Sequence, residues 1–295
     1  RHAPGREDMN VETRPRRRCE VWFAEEQTRD MRLSLRVGET LLRAQTPYQE
    51  LAVIDTPEYG RMMVLDGAIQ ISERDEFCYS EMMAHIPLCA HPAPASVLIV
   101  GGGDGAVLRE VLRHPCVERA VLVDIDEQVI AAARRFFPSI AASMDDPRAE
   151  VLCTDAIAFI RETFGEFDVA IVDSTDPVDF AAGLFEAPFY TDIRKALRED
   201  GMAIAQTESP FSDANVVTGA VGALRRVFPD VRLCWGAMPT YPTGMWTYTI
   251  GSSAYDPSVP VRPCPPGTRY YTPDVHRAAF ALPAFLSELI QDRKS

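Results

Sequence analysis

"VLIVGGGDGAVLRE", residues 97 to 110, decides the fold. Its first four residues are apolar and suit a strand buried on both faces. A glycine turn follows, and residues 106 to 110 open a helical pattern. Gly101, Gly103 and Ala106 fit the GxGxxG/A fingerprint of a nucleotide-binding strand–turn–helix, and Asp124 lies close to the expected ribose-binding distance. Asp104, inside the turn, argues against a nicotinamide dinucleotide. A pyrophosphate needs bare backbone N–H groups and no anion nearby. At about 4 Å, like charges repel by roughly 4 kcal/mol at an effective dielectric of about 20. The turn therefore suits a nucleoside that carries positive charge.

Strands and helices alternate outward from this turn. "RAVLVDID" precedes the helix "EQVIAAARRFF", "AEVLCTDA" runs into "IAFIRET", and "FDVAIVDS" comes before "APFYTDIRKAL". "GMAIAQTE", the helix through "VVTGAVGALRRVF" and the late strands "VRLCWGA" and "MWTYTIGS" complete the series. The expected fold is α/β, a Rossmann-like, doubly wound and mostly parallel sheet of the methyltransferase kind. Such sheets bind ligands beyond the carboxyl ends of their strands.

Upstream, from residue 32 to 71, apolar and polar residues alternate between glycine and proline breaks, predicting a small antiparallel sheet or barrel. Residues 77 to 89 read as an amphipathic helix. Residues 1 to 18 carry six arginines and few apolar residues, which predicts a disordered tail. The expected division is 1–18 tail, 19–74 N-terminal β domain and 75–295 Rossmann-like catalytic domain.

Asp plus Glu number 43 against 30 Lys plus Arg, a net charge of −13. That field disfavours nucleic acid and attracts small cations. No apolar run approaches the ~18 residues of a membrane span, and no signal-peptide pattern is present. The seven cysteines are scattered without a CxxC pair, as expected of reduced thiols in the cytoplasm. The five histidines show no metal-ligand spacing, so no metal is expected.

The strand ends collect acids. Asp124 can accept both hydroxyls of a ribose, or cap the helix after it. Asp155 can accept from an adenine amino group, or cap in its turn. In "FDVAIVDSTDPVDF", residues 167 to 180, Asp173, Asp176 and Asp179 follow one buried strand. Carboxylates that close resist joint ionisation.

The chain resembles the spermidine synthases, the polyamine aminopropyltransferases, from about residue 19 onward. The resemblance rests on "YQELAV", "GRMMVLDGAIQISERDEF", "VLIVGGGDGAVLREVLRHPCVE", "DSTDP", "QTESP" and "YPTGMW". It implies aminopropyl transfer from decarboxylated S-adenosylmethionine, a co-substrate and not a cofactor, to putrescine, giving spermidine and methylthioadenosine. It implies that Gln49 and Asp124 hold the nucleoside, with Asp155 and Ala156 at the adenine. Asp104 would bind the aminopropyl ammonium and Asp173 would be the general base. Tyr79, Asp176 and Tyr241 would line the amine pocket. A homodimer or homotetramer is expected.

This chemistry explains the acids. A primary amine with a pKa near ~10.4 is about 3.4 units too basic to be free at pH 7, roughly 4.6 kcal/mol. Attack on the carbon beside sulfur needs the neutral amine, hence a carboxylate base. Two departures from the family pattern fall at the amine pocket, Ser80 where a longer His or Gln is usual and Asp179-Phe180 after "DP". They predict activity on putrescine with wider tolerance of cadaverine or spermidine. An S-adenosylmethionine methyltransferase is the alternative, disfavoured because Asp104 would face the methionine carboxylate.

Overall fold

The computed structural model describes residues 19–174 and 187–291. Strands β1 (Val21–Thr28) and β2 (Met31–Val37) form an antiparallel hairpin, and β3 (Glu39–Gln45), β4 (Glu50–Thr56), β5 (Gly60–Leu65) and β6 (Ala68–Ser72) form an antiparallel four-stranded sheet. The strand pattern thus starts earlier than residue 32. β1 escapes a period-two reading because its buried side chain is Glu25, while Val21 and Trp22 are exposed.

Helix α1 (Glu76–Ala90) leads into a seven-stranded sheet. Its strands are β7 (Ser96–Gly101), β8 (Arg119–Asp124), β9 (Ala149–Cys153), β10 (Phe167–Asp173), β11 (Leu197–Gln206), β12 (Asp230–Ala237) and β13 (Met245–Ser252). They lie in the order β12-β13-β11-β10-β7-β8-β9. The five strands from β11 to β9 are parallel, whereas β13 runs antiparallel to both its neighbours. The crossovers carry α2 (Ala106–Leu112), α3 (Glu127–Phe136), α4 (Pro138–Ala141), α5 (Ala156–Arg161), α6 (Ala187–Ala196) and α7 (Ala214–Arg225). Two short helices, α8 (Pro273–Ala279) and α9 (Ala284–Ile290), follow the last strand.

The chain passes from β7 to β8 on one side and returns to β10 on the other. The strand order therefore reverses between β7 and β10, where a doubly wound sheet opens a ligand crevice. The register sets Asp173 beside Gly101 there, and Asp124 at the end of β8. The sheet's faces are dry, with residues 97–100 and 169–172 each at most 1% exposed.

α1 corrects the amphipathic expectation, because every residue in it except Phe77 is buried. Several of its buried polar groups have buried partners. Glu81 accepts from the backbone N–H of Arg269, Tyr270 and Tyr271, each at 2.8 Å, and His85 Nδ1 lies 2.9 Å from His114 Nε2. Among the described residues no helix is long and apolar enough to cross a membrane. All seven cysteines are free.

Candidate active site

The glycine turn works by letting backbone and carboxylates approach. Gly101 has φ +78°, and a Cβ there would stand 2.2 Å from the Asp173 carbonyl oxygen. A Cβ on Gly103 would stand 2.6 Å from Asp124 Oδ2, which accepts from the Gly103 N–H at 2.9 Å. Gly101→Ala should therefore cost at least about 2 kcal/mol of stability, from left-handed strain plus a clash with backbone that cannot swing away. A thermal melt of that variant matching wild type would refute the close approach.

The first carboxylate is held by this turn itself. Asp104 Oδ1 accepts from the Ala106 N–H at 2.7 Å. Burial pushes its carboxyl above the usual range; Glu76 and Asp124 add to the effect, against the Ala106 N–H and Arg109. Asp124, at the end of β8, accepts from the Gly103 and Asp126 N–H groups, both at 2.9 Å. Burial raises it too. Gln49, in the turn between β3 and β4, donates to Asp126 Oδ2 at 3.1 Å. Asp155 caps α5, its Oδ1 accepting from Ile157 N–H at 2.8 Å, and it also lines the cavity, as Ala156 does. The capping reading of Asp155 thus holds without removing it from the site.

Asp173 ends β10. Its Oδ1 accepts from the Tyr79 hydroxyl of α1 at 2.6 Å, and Oδ2 lies against Gly102. Burial raises its carboxyl strongly, Asp104 raises it further, and the Tyr79 hydroxyl opposes them. Among the described residues no ion pair reaches Asp104, Asp124 or Asp173. Tyr79 and Tyr241 face each other with ring centroids 5.7 Å apart, and the Tyr241 ring meets Trp246 at 4.6 Å. Both tyrosines line the same cavity as the three aspartates. It opens to solvent and holds about 1380 Å³ of atom-free space, its mouth included.

Ser80 does not line this cavity. It is fully buried, and its hydroxyl donates to Glu76 Oε2 at 2.8 Å. Four residues apart on one helix, the two share a face, while Ser80 is turned about 100° from Tyr79. Asp176 and Asp179 lie outside the described residues. Sequence reasoning singled out neither Glu76 nor Gln206, Glu208 and Trp246, all of which line the cavity. Glu76 is gripped by both carboxylate oxygens to Arg109, at 2.9 and 2.8 Å. Gln206 donates to the Ser174 carbonyl at 3.1 Å and accepts from the Glu208 N–H at 3.1 Å. The available signal for Gln206 and Glu208 was their place in "QTESP", residues 206 to 210; the structure adds that Glu208 takes φ +66°, rare for a non-glycine residue. Among the described residues no three His, Cys, Asp or Glu side chains gather as a metal site requires.

A crevice of buried carboxylates flanked by aromatic rings is an environment for a cationic nucleoside and a cationic chain. Comparison with known proteins is concordant. A family model described as the spermine/spermidine synthase domain matches residues 76–262, and one described as the spermidine synthase tetramerisation domain matches residues 21–73. A polyamine aminopropyltransferase of Caldicellulosiruptor saccharolyticus is 47% identical over 276 residues, 92% of this chain and 99% of that one. Its counterpart in Bacillus subtilis is 46% identical over 274 residues, again 92% and 99%. Among solved structures, a spermidine synthase in complex with the transition state analogue AdoDATO superposes with a TM-score of 0.90 at 39% identity, covering 95% of this chain and 98% of the other. The spermidine synthase of Thermotoga maritima superposes at 0.89 with 39% identity, covering 97% and 99%.

Proposed function

The chain belongs to the spermine/spermidine synthase family, and from that premise we propose that it transfers the aminopropyl group of decarboxylated S-adenosylmethionine to putrescine, giving spermidine and methylthioadenosine. The observation that carries this reading is the pair of carboxylates Asp104 and Asp173 lining one cavity with no ion pair among the described residues, both raised by burial, Asp104 further by Glu76 and Asp124, and Asp173 further by Asp104. Such a site is relieved by ligands that bring positive charge. The donor brings a sulfonium and an ammonium, and the acceptor brings a second ammonium at its far end.

Asp124 accepts from the ribose hydroxyls, Gln49 braces the nucleoside side through Asp126, and Asp155 and Ala156 meet the adenine. Gly101 and Gly103 bring the turn's backbone against the donor, and Asp104 takes the aminopropyl ammonium. Asp173, oriented by the Tyr79 hydroxyl, removes a proton from the attacking amine. The amine lone pair forms the new C–N bond as the C–S bond breaks. Its electrons return to sulfur and neutralise the sulfonium, and the proton leaves on Asp173. Tyr79 and Tyr241 flank the methylene chain with ring faces.

An oligomer accords with the tetramerisation match and with Val21 and Trp22 exposed on β1 at 60% and 56%. A homodimer or homotetramer in the cytoplasm is the finer form of this proposal, as are the division near residue 75 and the absence of a nucleic-acid partner. Mass spectrometry of products from the decarboxylated donor with putrescine, cadaverine and spermidine tests the function. An aminopropylated amine with one equivalent of methylthioadenosine is expected, with putrescine among the substrates. Absence of any such product, or methyl transfer from S-adenosylmethionine, would overturn the reading.

A further inference from the structure

The cavity wall bearing Tyr241 belongs to the connection between β12 and β13, so something outside that connection must fix its depth. Three ties do so. The Thr240 N–H donates to Asp75 Oδ2 at 3.0 Å, the Tyr241 hydroxyl donates to the Gln70 carbonyl at 2.6 Å, and the Ser209 and Thr243 hydroxyls meet at 2.7 Å. Thr243 sits at φ +64°, a strained conformation for its residue type, which a hydroxyl clip can hold.

Asp75 is the least explained of these partners. It is 4% exposed, precedes α1, and spends its other oxygen on the Ser72 hydroxyl at 2.5 Å. Its own carbonyl accepts from the Cys78 N–H at 2.9 Å, in the first turn of the helix that carries Tyr79. The buried carboxylate thus ties the end of β6 to the Tyr241 connection, and the residue that bears it leads by its backbone directly into α1. It does not line the cavity. The two aromatic walls of the pocket, Tyr79 and Tyr241, have Asp75 as their common anchor.

We propose that Asp75 is a positioning residue that sets the spacing between the Tyr79 and Tyr241 walls, and through it the affinity for the amine. This rests on the aminopropyl-transfer reading given above. Among the described residues, the donor half of the site, built from β7, β8 and α5, makes no hydrogen bond to Asp75. Losing it should therefore separate the two substrates.

Asp75→Ala is expected to raise KM for putrescine about tenfold, equivalent to ~1.4 kcal/mol, while KM for the decarboxylated donor stays within about twofold. Asp75→Asn, whose amide oxygen can still accept from Thr240, should recover most of that loss. Ser72→Ala removes only the other arm and should lower Tm without moving the amine KM, which a merely structural role for Asp75 would not predict. If Asp75→Ala fails to fold, Asp75→Glu keeps the charge on a longer arm and should likewise raise the amine KM alone. An amine KM unchanged in the folded variant, or equal rises for both substrates, overturns the proposal. Wild type that forms no aminopropylated product would instead overturn the functional reading.

Discussion

Asp173→Asn should lower kcat by about 10²–10⁴, the usual worth of a general base, while the donor still binds. Asparagine keeps an oxygen to accept from the Tyr79 hydroxyl, so the 2.6 Å contact and the shape of the wall survive. What disappears is the ability to take the amine's proton. The pH dependence gives a second readout with a fixed sign. In wild type the carboxyl is held above the ordinary range by burial and by Asp104. It works only when deprotonated, so kcat/KM for the donor should fall as pH drops through that raised range. Donor binding brings two cations that favour the carboxylate, so the corresponding limb of kcat should lie at lower pH. In Asp173→Asn the carboxylate limb should vanish, leaving the ionisation of the amine. Activity within about threefold of wild type at saturating amine would remove Asp173 from the role of base.

The acids at the strand ends were legible because their positions follow from periodicity. A buried strand, a turn and a helix put the last strand residue at the crevice whatever the residue is. Asp124 and Asp173 stand there for that reason, and Asp104 because it lies in the turn that joins such a strand to its helix, where it accepts from the Ala106 N–H. The doubly wound sheet itself was legible through the same alternation. Residues that converge from distant parts of the chain were not. Glu25 is the buried side chain of β1, and a rule that expects apolar residues inward leaves that strand out. Glu76 and Arg109 are 33 residues apart, and nothing in their spacing pairs them. The resemblance puts Ser80 at the pocket, in the position where a longer His or Gln is usual, but along the helix from Tyr79 this short side chain is turned by about 100°. Its hydroxyl joins Glu76 instead.

That Glu76–Arg109 pair bears on the second large effect. Asp104→Ala should weaken binding of the decarboxylated donor by about 1.5–3 kcal/mol, the range for a hydrogen bond to a charged group, which is about ten- to 150-fold in Kd. Methylthioadenosine lacks the aminopropyl ammonium and should lose far less. The selectivity follows from the local charges. One Asp104 oxygen is taken by the Ala106 N–H, leaving the other for a ligand. Arg109, the cation that acts on Asp104, is spent on both oxygens of Glu76 and on Glu110 and forms no ion pair with Asp104. Burial, Glu76 and Asp124 all hold the Asp104 carboxyl up. An arriving ammonium favours the ionised form, so donor binding should release protons where methylthioadenosine binding releases none from this group. Calorimetry in two buffers of different ionisation enthalpy reads both quantities at once. The alanine variant should lose the donor's proton release together with its extra affinity. Equal affinity losses for donor and methylthioadenosine, with proton release unchanged, would mean that the ammonium is bound elsewhere.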